Sequence, residues 1–224
     1  MTKAPIRLLL VTLIMSVTLS CADEGVDGPV GIPLWDIVTF EGNIDGHANF
    51  SFRQVNDTPL ITLVADRAIP ADDLEGGERM YISYLPEYNT SYTSGPVTLY
   101  SAAIINQAPM ETAPIIDLPD WNRDPVYVYS AWRSGTYINL HVRLTYDREP
   151  RTFCLVADEA TISSPTPDIY LVHTMAQPSD YHDRVYYASF DISDIWERPD
   201  VTGVRLLIAN SNLDKGIFTF NKKD

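Results

Sequence analysis

Along most of this chain apolar and polar residues alternate with a period of two, the period of an extended strand. The pattern is cleanest over residues 136–146. Ile138, Leu140, Val142 and Leu144 share one face there, and Tyr137, Asn139, His141 and Arg143 share the other. Such alternation predicts an antiparallel strand buried on one side only. β-rich runs of strand length also occur at 35–42, 48–54, 59–66, 78–84 and 96–105, enough for a small five-stranded barrel. The segments Asn43-Ile44-Asp45-Gly46, Asn56-Asp57-Thr58-Pro59 and Asp72-Asp73-Leu74-Glu75-Gly76-Gly77 separate them with turn-forming chemistry. Past a stretch punctuated by Pro109, Pro114, Pro119 and Pro125, strand runs resume at 126–132, 153–157, 169–174, 185–192, 204–209 and 217–220. With 136–146 these make about seven strands, a number that suits a β-sandwich. A single helical turn is expected at 193–197, stopped by Pro199. The reading is all-β, with the domains divided near Asp120: 34–119 for the barrel and 120–224 for the sandwich.

The first residues follow a different rule. Lys3 and Arg7 precede the apolar run Leu8-Leu9-Leu10-Val11-Thr12-Leu13-Ile14-Met15, and small residues lead to Cys21. A positive end, a short apolar stretch and small residues at its exit make an export signal. The stretch is too short to span roughly 30 Å of hydrocarbon. A cysteine at the exit resembles a bacterial lipobox, whose thiol is acylated, although Thr18 stands where that pattern usually has Leu. Cleavage after Ala22, giving a soluble exported protein, is the competing reading. Residues 1–20 are thus expected to be a lipoprotein signal peptide, with lipid attached to Cys21. The Gly- and Pro-rich segment 21–33 reads as a flexible linker. The Asp23-Glu24 pair resembles the acidic export tag of Bacteroidetes surface lipoproteins.

Charge narrows the partners. The chain carries 16 Lys and Arg against 30 Asp and Glu; loss of Lys3 and Arg7 with the signal moves the net charge from −14 to −16. That field repels phosphate backbones and anionic lipid surfaces, so nucleic acid is excluded as a partner. There are 2 cysteines, and acylation of Cys21 leaves Cys154 without a disulfide partner. Cys154 lies in the strand-like run Thr152-Phe153-Cys154-Leu155-Val156, where a buried, inert thiol is expected.

The segments Gly135-Thr136-Tyr137-Ile138-Asn139-Leu140, Tyr170-Leu171-Val172-His173-Thr174 and Tyr187-Ala188-Ser189-Phe190-Asp191-Ile192, with the order of signal, linker, barrel, Pro-rich joint and sandwich, resemble the NigD-like family of Bacteroidetes lipoproteins. The resemblance implies an OB-like N-terminal barrel of five strands followed by an Ig-like β-sandwich of about seven strands. It also implies an outer-membrane lipoprotein on the cell surface or the periplasmic face. It carries no biochemical activity and no catalytic residues.

No motif demands a catalytic centre or a cofactor. The Gly-x-Ser-x-Gly elbow of serine hydrolases is absent, and Gly76-Gly77 is followed by Glu78 rather than the Lys of a phosphate loop. His47, His141, His173 and His182 show no zinc-site spacing, although His141 and His173 could meet on neighbouring strands. Acids cluster at 66–78 and at Asp180-Tyr181-His182-Asp183, where hard oxygens could attract calcium, without the spacing of a known loop. Aromatics are the remaining signal. Tyr81, Tyr84, Tyr88, Tyr92 and Tyr100 crowd one region, and Trp121, Tyr127, Tyr129 and Trp132 crowd another. Tyr81 and Tyr84 lie in an expected strand and should pack. Tyr88, Tyr92 and Trp121 lie in loops and are the candidate binding aromatics, suited to a sugar face or a protein partner. Three functions follow in order: a lipid-anchored, non-catalytic protein acting through protein or envelope contacts; a surface glycan-binding module; and an envelope hydrolase with an unrecognised carboxylate pair.

Overall fold

In the computed structural model, residues 31–70, 74–88, 91–145, 151–175 and 183–222 are described. Cys21, its signal and most of the linker lie outside them. The chain is nearly all strand. Strands β1 (Leu34–Ile44), β2 (His47–Phe52), β3 (Ile61–Ala65), β4 (Arg79–Pro86) and β5 (Gly95–Ile104) close a barrel in the order β1-β2-β3-β5-β4. The β3–β5 pair is parallel and the others antiparallel. Closure leaves no open strand edge, and alternate residues fill the inside. Val38 and Phe40 of β1, Phe50 and Phe52 of β2, Ile82 and Tyr84 of β4 and Leu99 of β5 form that core. Ile69 and Leu74, from the connection between β3 and β4, pack against it.

The second unit stacks two sheets. One has the order β13-β12-β10-β9-β6, from β6 (Glu111–Ala113), β9 (Thr152–Asp158), β10 (Asp168–Thr174), β12 (Gly203–Ile208) and β13 (Ile217–Asn221). The other is β11-β8-β7, from β7 (Tyr127–Ser134), β8 (Tyr137–Thr145) and β11 (Asp183–Asp191). Between them lie Ile138, Leu140 and Val142, facing Leu155, Ile169 and Leu206. The parallel β10–β12 register is pinned by Arg205, whose Nε and Nη2 each donate to the Asp168 carboxylate at 2.6 Å. The expected helical turn is α1 (Ser193–Trp196), which buries Ile195 and Trp196. Among the described residues no helix is long and apolar enough to cross a membrane.

Two expectations need correcting. The chain enters the sandwich before Asp120, because β6 already pairs in parallel with β9. Pro109 lies in the joint between β5 and β6, and Pro114, Pro119 and Pro125 mark the approach to β7. Nor is the polar face of β8 wholly open to water: the barrel covers it at Asn139, which is only 1% exposed, while Tyr137, His141 and Arg143 stay partly exposed. Cys154 is half-buried, and burial, with Glu111 nearby, pushes its thiol above the ordinary range.

Candidate functional site

The barrel–sandwich junction gathers most of the unusual side chains. Two arginines hold it. Arg133, the penultimate residue of β7, is fully buried and reaches out of the sandwich to the β2–β3 connection. Its Nη1 and Nη2 each donate to an Asp57 carboxylate oxygen at 2.9 Å, and Nη1 also donates to the Gly135 carbonyl at 2.7 Å. The Trp196 ring lies 4.2 Å below the guanidinium. Hydrogen bonding from Arg133 holds the Asp57 carboxyl below its ordinary range. The backbones join as well: Asn56 N–H donates to the Arg133 carbonyl, and Gly135 N–H to the Asn56 carbonyl, both at 2.7 Å. This docking explains the local sequence. Asn56 and Gly135 both have positive φ, 48° and 59°, which Asn tolerates and Gly adopts freely.

Arg79, the first residue of β4, is 3% exposed. Its Nε donates to Ser189 Oγ at 2.8 Å, Nη1 to Thr39 Oγ1 at 2.7 Å and Nη2 to Asn139 Oδ1 at 3.4 Å. The guanidinium sits 4.1 Å from the Tyr137 ring centroid. Every one of these partners is neutral, and burial lowers the pKa of Arg79 to about 10.

Beside these arginines six rings form one row across both domains. Trp35 of β1 stacks on Tyr81 of β4 at 5.3 Å, and Tyr81 on Tyr187 of β11 at 4.1 Å. Tyr187 stacks on His141 of β8 at 4.4 Å and 9°, and His141 meets Tyr129 of β7 at 4.6 Å. Tyr127 follows at 5.1 Å. Pairing explains the order: Tyr187 is directly opposite His141, and a bulge between Val128 and Ser130 brings Tyr129 alongside. Tyr81 and Tyr187 also hydrogen-bond through their hydroxyls at 3.2 Å. Burial lowers the His141 pKa, so the row is uncharged at neutral pH. Tyr81, Tyr187, His141, Trp35 and Trp132 wall a cleft of about 210 Å³, rimmed by Arg53 and Gln54. Trp35 and Tyr129 are 54% and 46% exposed.

The candidates chosen from sequence fall elsewhere. Tyr88 and Tyr92 are exposed on the β4–β5 connection of the barrel. Trp121 is half-buried and makes a T-shaped contact with Tyr170 of the sandwich, 4.8 Å away. It does not join the other two. Tyr127 and Tyr129 of the row and Trp132 of the cleft wall were visible in the sequence as one aromatic cluster, but nothing local distinguishes a tyrosine that packs from one that faces a partner. His141 and His173 lie in opposite sheets. His173 contacts the Asp124 carbonyl through Nδ1 at 2.7 Å, and burial lowers its pKa. Among the described residues no three His, Cys, Asp or Glu side chains gather to hold a metal. Three of the described loop acids serve the backbone or an ion pair. Glu78 accepts from the Glu75 and Gly76 N–H groups, Asp66 from that of Leu99, and Asp183 pairs with Arg143. Asp72, Asp73, Asp180 and His182 lie outside the described residues.

No family model matches the sequence, and no curated protein matches it. Solved structures do. A protein of unknown function from Bacteroides vulgatus is 17% identical over 85% of this chain and 90% of its own, with a TM-score of 0.67. A NigD-like immunity protein from Bacteroides caccae is 19% identical over 86% of this chain and 94% of its own, with a TM-score of 0.56. A candidate lipoprotein from Bacteroides fragilis is 13% identical, covers 85% and 98%, and has a TM-score of 0.59. The barrel-plus-sandwich fold implied by the resemblance to NigD-like proteins is therefore the fold this chain has.

Two measurements probe the junction. Asp57→Ala leaves the Arg133 guanidinium buried without its carboxylate. A loss of about 1–2 kcal/mol is expected in chemical denaturation, reduced from the full buried-pair value because Asp57 is half open to water. The second concerns Asp36, which accepts from the Tyr84 hydroxyl at 2.9 Å. Burial, partly offset by that hydrogen bond, pushes its carboxyl up to about 6. Because the folded value is the higher one, the protonated form favours folding. Stability from this group is complete below about pH 4 and is lost as pH rises through about 6. Asp36→Asn should stabilise the protein at pH 7 by on the order of 2 kcal/mol, seen as a higher melting temperature, and leave it unchanged at pH 4.

Proposed function

We propose that this is a non-catalytic, lipid-anchored protein of the cell envelope that acts by binding a protein partner through the aromatic cleft at its junction. The observation that carries the reading is the row of stacked rings running from Trp35 to Tyr127. It is fixed on strands of both domains, and Trp35 at one end and Tyr129 near the other stay half open to solvent. Large rings held on rigid elements beside a shallow cleft are the usual anchors of a protein interface. Because the inner rings pack on one another and the Arg143 guanidinium lies 4.4 Å from the Tyr127 ring centroid, the surface offers ring edges and the Trp35 end, a shape suited to side chains of a partner. The solved structures of similar fold, a NigD-like immunity protein and a candidate lipoprotein among them, carry no enzyme in their names and support a non-catalytic role. Lipid attachment at Cys21 would hold the body at the outer membrane, on the surface or the periplasmic face.

A photo-crosslinking phenylalanine analogue in place of Trp35, in cells making the full chain, should yield a discrete crosslinked protein. The same analogue at exposed Ile217, on strand β13, should not. Identical products at both positions would sink the cleft as the binding face. Cys21→Ser in the same strain should release the protein from the membrane fraction.

A second reading, capture of surface glycans, is favoured by the 73% exposure of Tyr88 beside Tyr92 on one barrel connection. Tyr88→Ala with Tyr92→Ala should then abolish retention on a panel of soluble polysaccharides in affinity electrophoresis while leaving the melting temperature unchanged. Unaltered retention would remove this reading.

A further inference from the structure

We propose that a second pocket at the junction, built around the Arg79 guanidinium, binds a sugar acid through its carboxylate. Arg79 is the starting point. It is a buried cation, and no carboxylate among the described residues forms an ion pair with it. Its hydrogen bonds end on Ser189, Thr39 and Asn139, all neutral, and the Tyr137 ring covers one side. Asp191, the acid that acts on it through space, is exposed and accepts instead from the Ser193 N–H. Burying a guanidinium without an anion is costly, and an anionic ligand would offset that cost. A guanidinium has five N–H groups, so one on Nη1 and one on Nη2 remain after these bonds. Paired N–H groups suit the two oxygens of a carboxylate.

The space is there as well. Arg79 lines a pocket of about 340 Å³ on the junction, at the lower end of the range for small-molecule sites. Hydroxyl-bearing Thr39, Ser51, Ser134 and Thr136 line it too, and Arg53 adds a second cation. Hydroxyls around two guanidinium groups fit a ligand that is polyhydroxylated and acidic. Asp57 and Glu197 line the same pocket, so a singly charged carboxylate is accommodated better than a phosphate dianion. The occupant is thus a uronic acid, free or at the end of a glycan. The pocket shares only Phe52 and Arg53 with the aromatic cleft, so the two sites can be tested separately.

The test is isothermal titration of the mature chain with sodium glucuronate, sodium galacturonate, glucose, sodium acetate, inorganic phosphate and an amidated, acetylated aspartyl peptide. Saturable binding of at least one uronate is expected, with glucose, acetate, phosphate and the peptide each about tenfold weaker or undetectable. Arg79→Gln should weaken the uronate by about tenfold or more. Should that variant fail to fold, Thr136→Trp, which fills the pocket from the partly exposed β7–β8 turn, must abolish the binding instead. Glucose binding as tightly as the uronates overturns the proposal, because the guanidinium would then do nothing. Phosphate or the peptide binding as tightly overturns the assignment to a sugar acid. Absence of any uronate binding, or its persistence in Arg79→Gln, also overturns it. Trp35→Ala should leave uronate binding intact, so failure of this site is distinct from failure of the aromatic cleft.

Discussion

Two buried guanidinium groups hold this protein in one piece. Arg133 extends from the sandwich and Arg79 from the barrel, and each ends among polar groups of the other domain. They are not equivalent. Arg133 is neutralised by Asp57, whose carboxylate is partly hydrated, so the pair avoids much of the desolvation that makes fully buried ion pairs weak. Arg79 has only dipoles and a ring around it, so its charge is stabilised without being cancelled. One arginine fixes the joint and the other leaves a positive centre within it.

That joint changes what the three-stranded sheet is. Antiparallel sheets commonly bury one face and wet the other. Here β8 sends Ile138, Leu140 and Val142 into the sandwich core, while Asn139 on its other face is sealed by the barrel. Asn139 is satisfied on both ends of its amide: Nδ2 donates to Ser134 at 2.7 Å, and Oδ1 accepts from Ser189 at 2.8 Å. A polar residue can be enclosed there because its neighbours complete its hydrogen bonds.

The aromatic row follows from the same enclosure. Tyr81 on the barrel meets Tyr187 on the sandwich because the two domains are locked close enough for their rings to stack at 4.1 Å. His141 continues the stack and stays neutral, since burial disfavours its charged form. The result is a continuous, uncharged strip on a molecule of strongly negative charge, which gives that strip a chemistry unlike the rest of the surface.

Read alone, the sequence determined what is local. Period-two alternation located the strands, Asn-Asp-Thr-Pro and Asn-Ile-Asp-Gly located turns, and Ser193 to Glu197 located the single helical turn, because these signals depend on residues a few positions apart. The acidic balance was equally plain. Tertiary structure decided the rest. It placed β6 in the sandwich rather than in the joint, set Trp121 against Tyr170, and buried Asn139 on the polar face of β8. It also assembled both candidate pockets from residues that sequence spacing keeps apart. Tyr81 and Tyr187 are 106 positions apart, and Arg79 and Ser189 are 110 apart. No local periodicity encodes a contact over that distance, because it exists only once two independently patterned domains have packed face to face.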